Sequence, residues 1–124
     1  MSEYIINITV KTDYLEQHSQ PEKNRFAFAY TITIENSSEV AAQLLSRHWV
    51  ITDAKDSVQE VVGDGVVGEQ PHIAPGETYT YSSNAVLETT AGTMEGTYTM
   101  RAVDGTVFNV PIPAFSLTNP QSLH

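Results

Sequence analysis

The chain has 124 residues, 15 acidic side chains against 6 basic ones, a formal charge of -9 and no cysteine. Its length suits a single domain, residues 1–124, with one core, and the missing thiols exclude a disulfide framework, a cysteine-based zinc site and any thiol nucleophile. The acidity opposes the counterion release that drives nucleic-acid affinity, so DNA and RNA are not expected partners.

Met1 to Asn7 lack the basic start and long apolar run of a secretory signal, and no apolar stretch reaches membrane-spanning length. A cytoplasmic protein with no membrane partner is expected. Ile6, Ile8 and Val10 share one face of a first strand, and the polar connection Asp13 to Asn24 follows. Positions 25 to 35 carry the clearest signal, because Phe26, Phe28, Tyr30, Ile32 and Ile34 alternate with smaller or polar residues. Period two with one apolar face predicts an antiparallel strand of a sandwich. Asn36-Ser37-Ser38 supplies a turn. In the run Val40 to Thr52, the residues Val40, Ala42 and Leu44 are in phase, whereas Leu45, Arg47, Trp49 and Ile51 take the other parity. A bulge or a change of sheet near Leu44 reconciles the two halves.

Val58 to Val62 predict the next strand, and Asp53 and Asp56 before them read as hairpin-loop residues. Thr78 to Ser82 form a further strand with Tyr79 and Tyr81 in phase, entered through Pro75-Gly76 in the order of a type II turn. Ser82 and Ser83 are taken as strand-end residues. Gly96 to Val103 pair with Thr106 to Val110 across Asp104-Gly105, a two-residue hairpin signal. Pro111 and Pro113 place the last strand at an edge or strand exit, and Ser116 to His124 read as a loosely held tail. The fold class is therefore all-β, an immunoglobulin or fibronectin type III-like β-sandwich of seven to eight antiparallel strands.

The stretch Gly63-Asp64-Gly65-Val66-Val67-Gly68 matches the G-x-G-x-x-G dinucleotide pattern. That pattern binds pyrophosphate only where the glycines open directly into a helix. Here Pro71 and Pro75 follow, which no helix accommodates, so the motif marks a loop. No Lys or Arg lies between Lys55 and Arg101, so a phosphate at the loop is expected to find no local cation. Two roles remain: positive φ or close backbone approach at a bulged connection, and an anion nest of successive amides.

There is no G-x-S-x-G elbow, and His18, His48, His72 and His124 show no metal-site spacing. No catalytic residue, metal or cofactor is expected. His48 and Trp49 fall on opposite faces of a regular strand, so one is core and the other faces solvent or a partner. Trp49 resembles a buried sandwich tryptophan, whereas an exposed one would be a binding anchor.

The stretches RFAFAYTITIEN (Arg25 to Asn36), QLLSRHWVITD (Gln43 to Asp53), GDGVVGEQPHIAPGE (Gly63 to Glu77) and GTMEGTYTM (Gly92 to Met100) closely resemble the bacterial ApaG family, in its order and spacing. The resemblance implies a fibronectin type III-like sandwich in the bacterial cytoplasm without established enzyme activity. It also implies a link to divalent-cation homeostasis, cobalt resistance and magnesium efflux. A similar domain in eukaryotic F-box and polymerase-interacting proteins points to a binding module. The expected function is non-enzymatic protein binding through a sheet face or edge, with Arg47, His48 and Trp49 as candidate contacts and weak homodimerisation as a further partner mode. The alternative is a nucleotide, pyrophosphate or metal-phosphate held by Gly63, Asp64, Gly65, Val66, Val67 and Gly68.

Overall fold

A computed structural model describes residues 4–119. Eight strands follow one another: β1 Ile6–Tyr14, β2 Phe26–Asn36, β3 Ala42–Asp53, β4 Val58–Asp64, β5 His72–Ile73, β6 Thr78–Leu87, β7 Ala91–Ala102 and β8 Val107–Thr118. Single 3-10 turns, Glu16–His18 and Pro21–Lys23, fill the connection after β1. All pairings are antiparallel. One sheet runs β1-β2-β6 and the other β4-β3-β7-β8, with the short β5 paired to β3. This is an all-β antiparallel sandwich of eight strands, within the seven to eight expected for an immunoglobulin or fibronectin type III-like fold. Among the described residues no helix is long and apolar enough to cross a membrane.

The alternating face of β2 makes one wall of the core: Phe28, Ile32 and Ile34 are wholly buried. Leu44, Trp49, Tyr98, Met100 and Leu117 supply the facing wall from the larger sheet. Trp49 stands at the centre of an aromatic cluster, edge-on to Tyr30 at 5.5 Å and to Phe115 at 5.8 Å. Asn36 is buried yet satisfied: its Nδ2 donates to the carbonyls of Val40 and Ile73, and its Oδ1 accepts from the Ser38 amide. The side chain thereby ties the β2 exit to β5.

The phase change in β3 is a bulge. The β3–β7 register steps from Leu44↔Met100 to Ser46↔Thr99, which leaves Leu45 as the extra residue, and β3 stays in one sheet throughout. Ala42 and Leu44 before the bulge, and Trp49 and Ile51 after it, all reach the core. Pro75-Gly76 makes the expected type II turn, with Gly76 at φ 81° and the Glu77 amide donating to the Ala74 carbonyl.

Several expectations need correction. The hairpin after β7 is a three-residue loop: the Gly105 amide closes a turn onto the Ala102 carbonyl, the Ala102 amide reaches the Thr106 carbonyl, and Gly105 sits at φ 90°. That is a turn followed by a glycine bulge rather than a two-residue loop. Ser82 and Ser83 lie mid-strand, because β6 continues to Leu87 and the Ser82 hydroxyl pairs with Thr31 across the sheet. The last strand runs through Pro111 and Pro113, since an edge position needs no outward amide there. Part of the expected tail is therefore strand, with Leu117 wholly buried, while its final residues 120–124 lie outside the described residues.

The two flanks of the sandwich differ. On one, β1 packs beside β8, reinforced by the Tyr4 ring stacked on Phe108 at 4.4 Å and the Tyr4 hydroxyl donating to Asp104 at 2.9 Å. The other flank lies between the edge strands β6 and β4.

Candidate functional site at the glycine loop

Strand pairing builds the loop from β3 upward. The β3–β4 register sets Arg47 opposite Gly63 and Trp49 opposite Val61. The Arg47 guanidinium lies over Gly63, where an added Cβ would come within 2.8 Å of Nη1. From there Nη1 donates to the carbonyls of Asp64 at 3.1 Å and Gly65 at 3.0 Å. The expectation that the loop lacks a local cation is thus overturned, because the hairpin brings in an arginine from well outside the 55–101 window.

Each glycine has a stereochemical reason. Gly63 lets the guanidinium lie against the strand. Gly65 takes φ 64°, and a Cβ there would meet the Glu69 carbonyl oxygen at 2.2 Å. Val66 and Glu69 exchange both backbone hydrogen bonds around Val67 and Gly68, whose φ values of 48° and 78° define a type I′ turn. The turn is anchored to the β3 bulge, since the Leu45 carbonyl accepts from the Gly65 amide and from the Gln70 side chain, both at 2.8 Å. The amides of Gly65, Val66 and Glu69 are spent within the protein.

The other candidates separate by face. Trp49 is 2 % exposed, so in this fold it is a core residue and offers a partner no surface. His48 points outward and pairs with Glu60, Nε2 to Oε1 at 3.1 Å. Next to it on β4 stands Val62, 76 % exposed, with Val58 also exposed further along the strand. Asp53 serves its loop as expected, its Oδ1 accepting from the amides of Lys55 and Ser57. Among the described residues no group of three or more His, Asp or Glu is gathered as metal ligands are.

Two features were not expected from sequence. Tyr81 of β6 and Tyr98 of β7 share a short hydroxyl-to-hydroxyl hydrogen bond that joins the two sheets. Burial pushes both hydroxyls up, Tyr81 to about 12 and Tyr98 in the same direction. The second is a cavity of about 350 Å³ on the flank between β4 and β6, lined by Arg47, Trp49, Gln59, Ser83 and Met94 among others. The in-phase Tyr79 and Tyr81 hinted at the inward hydroxyl, whereas nothing local marks Gln59 and Ser83 as neighbours.

Fold and site together define a small antiparallel β-sandwich domain with a glycine loop braced between an edge hairpin and a strand bulge. The model of the ApaG domain matches residues 16–102. The chain belongs to that family. A protein named ApaG from Thiobacillus denitrificans is 61% identical over 98% of this chain and 95% of its own length. One from Pseudomonas aeruginosa is 56% identical, covering 99% and 98%. A crystal structure from Bordetella pertussis superposes with a TM-score of 0.92 at 46% identity, covering 95% of this chain and 96% of that one. A protein from Archaeoglobus fulgidus shares the fold alone, with a TM-score of 0.54 at 12% identity over 96% and 98% of the two chains.

Proposed function

We propose that this chain is a non-catalytic, cytoplasmic protein-binding module that takes an extended segment of a partner along β4. The observation that carries the reading is the character of that edge. An edge strand presents alternate unpaired amides and carbonyls, and proteins ordinarily blunt it with proline, lysine or a bulge. The opposite edge of the same sheet, β8, carries Pro111 and Pro113, the edge strand β1 carries Lys11, and the edge strand β6, which has neither residue, exposes Val86 as its one large apolar side chain. Strand β4 has no proline and no lysine, pairs with β3 in unbroken register, and exposes Val58 and Val62. A strand added to β4 would gain ladder hydrogen bonds, apolar contact at the two valines and a polar contact at His48. The divalent-cation link implied by the resemblance then runs through the partner.

The test is affinity capture from the native cell with the wild-type chain, Val62→Lys and Val58→Lys. Both positions are exposed, so thermal melts should match the wild type within about 0.5 kcal/mol. The expected result is a specific partner whose recovery falls about tenfold or more with either lysine, equivalent to roughly 1.4 kcal/mol. A partner retained equally by both variants would refute the edge as the site, and a wild-type chain that captures nothing specific would refute the module.

A further inference from the structure

The cavity between β4 and β6 has the chemistry of an anion site. Five of the six Lys and Arg side chains are exposed, and Arg47 alone is half-buried. Arg47 is also the only charged side chain in the cavity wall, in a chain of net charge -9. It has no carboxylate within ion-pair distance among the described residues, and of its guanidinium only Nη1 is engaged, by two backbone carbonyls. A half-buried cation left without a counter-charge is costly, and a bound oxyanion offsets that cost through charge-assisted, bidentate hydrogen bonds.

The rest of the wall fits the same ligand. Gln59 and Ser83 occupy inward-facing positions of β4 and β6, and neither side chain has a hydrogen-bond partner among the described residues. Trp49 lines the cavity, and its Nε1 is a buried side-chain donor with no acceptor in the protein. The half-buried Val61 and the exposed Val86 supply apolar surface beside Gln59 and Ser83. A volume of about 350 Å³ lies near the small end of ligand pockets and leaves no room for a dinucleotide.

We infer that this cavity binds a small organic oxyanion, a carboxylate or phosphate monoester with an apolar body, its head group held by Arg47, Gln59 and Ser83 and its body laid against Val61 and Val86. The site opens on the inner side of the hairpin whose outer side and edge face a protein partner. It therefore needs no partner, and it stands or falls separately from binding at β4.

The chain supplies its own reporter, because Trp49 is the only tryptophan. Benzoate and phenyl phosphate are titrated into the full chain, with benzyl alcohol as the neutral control, following Trp49 emission and its single indole N–H resonance. The expected result is saturable change in both signals with at least one oxyanion at about 10 mM or below, and about tenfold weaker response to benzyl alcohol. Whichever oxyanion saturates assigns the head group. Arg47→Gln should abolish binding. Because that change also frees the Asp64 and Gly65 carbonyls, the exposed Gln59→Glu is the second variant, and its added carboxylate should pair with Arg47 and weaken binding at least about tenfold. No saturation with either oxyanion, an equal response to benzyl alcohol, an unmoved indole resonance, or undiminished binding in Gln59→Glu would each overturn the proposal.

Discussion

Among the described residues, Val67 carries the plainest local strain. A β-branched residue in the left-handed region costs about 1–2 kcal/mol, because Cβ crowds the backbone there. Val67 holds φ 48° while 61 % exposed, so no core packing repays the strain. Its neighbour Gly68 tolerates φ 78° freely, and a type I′ turn favours Asn before that glycine. Val67→Asn should therefore stabilise the fold by roughly 0.5–1 kcal/mol, a rise of about 2–5 °C in Tm. A differential scanning melt decides it; an unchanged or lower Tm would show that the turn is not strained. If the same substitution also impaired partner capture, the exposed apolar surface of Val67 would join Val62 in the binding face.

Among the elements, the β3 bulge does more than correct a phase. With Leu45 removed, Leu44 and Ser46 would still meet Met100 and Thr99, and Trp49 would still face inward. What would disappear is the Leu45 carbonyl that receives the Gly65 amide and the Gln70 side chain. Deletion of Leu45 should keep the sandwich folded while exposing the Gly65 amide to fast hydrogen exchange, with proteolytic cleavage confined to residues 64–70. Global unfolding of the variant would contradict this division of labour. The bulge was legible in the sequence because Ala42 and Leu44 and then Trp49 and Ile51 break parity within one apolar run. The glycine loop was legible as a loop, through Pro71 and Pro75, but its chemistry was not. Arg47 is 16 positions before Gly63 in the chain, and only the β3–β4 register makes them neighbours. Likewise β6 beyond Ser82 reads as polar, since Ser83 and Asn84 interrupt the alternation that Ala85 and Leu87 resume.

For the molecule as a whole, the Tyr81–Tyr98 pair makes the joint between sheets sensitive to alkali. An unfolded tyrosine titrates near 10.0, whereas burial holds folded Tyr81 at about 12 and moves Tyr98 the same way. Between those values the unfolded chain has lost protons that the folded chain keeps, so unfolding is increasingly favoured. The contribution is complete below pH 10 and is lost as pH rises through about 12, on the order of 2 kcal/mol. Replacing both tyrosines by Phe removes donor and acceptor together and should be nearly neutral at pH 7. Thermal melts from pH 8 to 12 should then show a shallower alkaline decline in the double variant than in the wild type. Equal declines would place the alkaline weakness elsewhere.

The flank closed by β1 against β8 has a kinetic side. The first and last strands of the element order can meet only after every intervening strand has been laid down. During synthesis at about 5–20 residues per second, the β3–β4 hairpin is available seconds before β8 leaves the ribosome. For that interval the larger sheet lacks its β8 edge, and the β4 edge is already presented. Folding dominated by such distant pairings falls in the range of about milliseconds to seconds. The edge proposed to take a partner is thus open to wrong ones as soon as its hairpin forms, and unlike β1, which later packs beside β8, it stays open in the finished fold, so the nascent chain should depend on chaperone cover at β4 from that moment on.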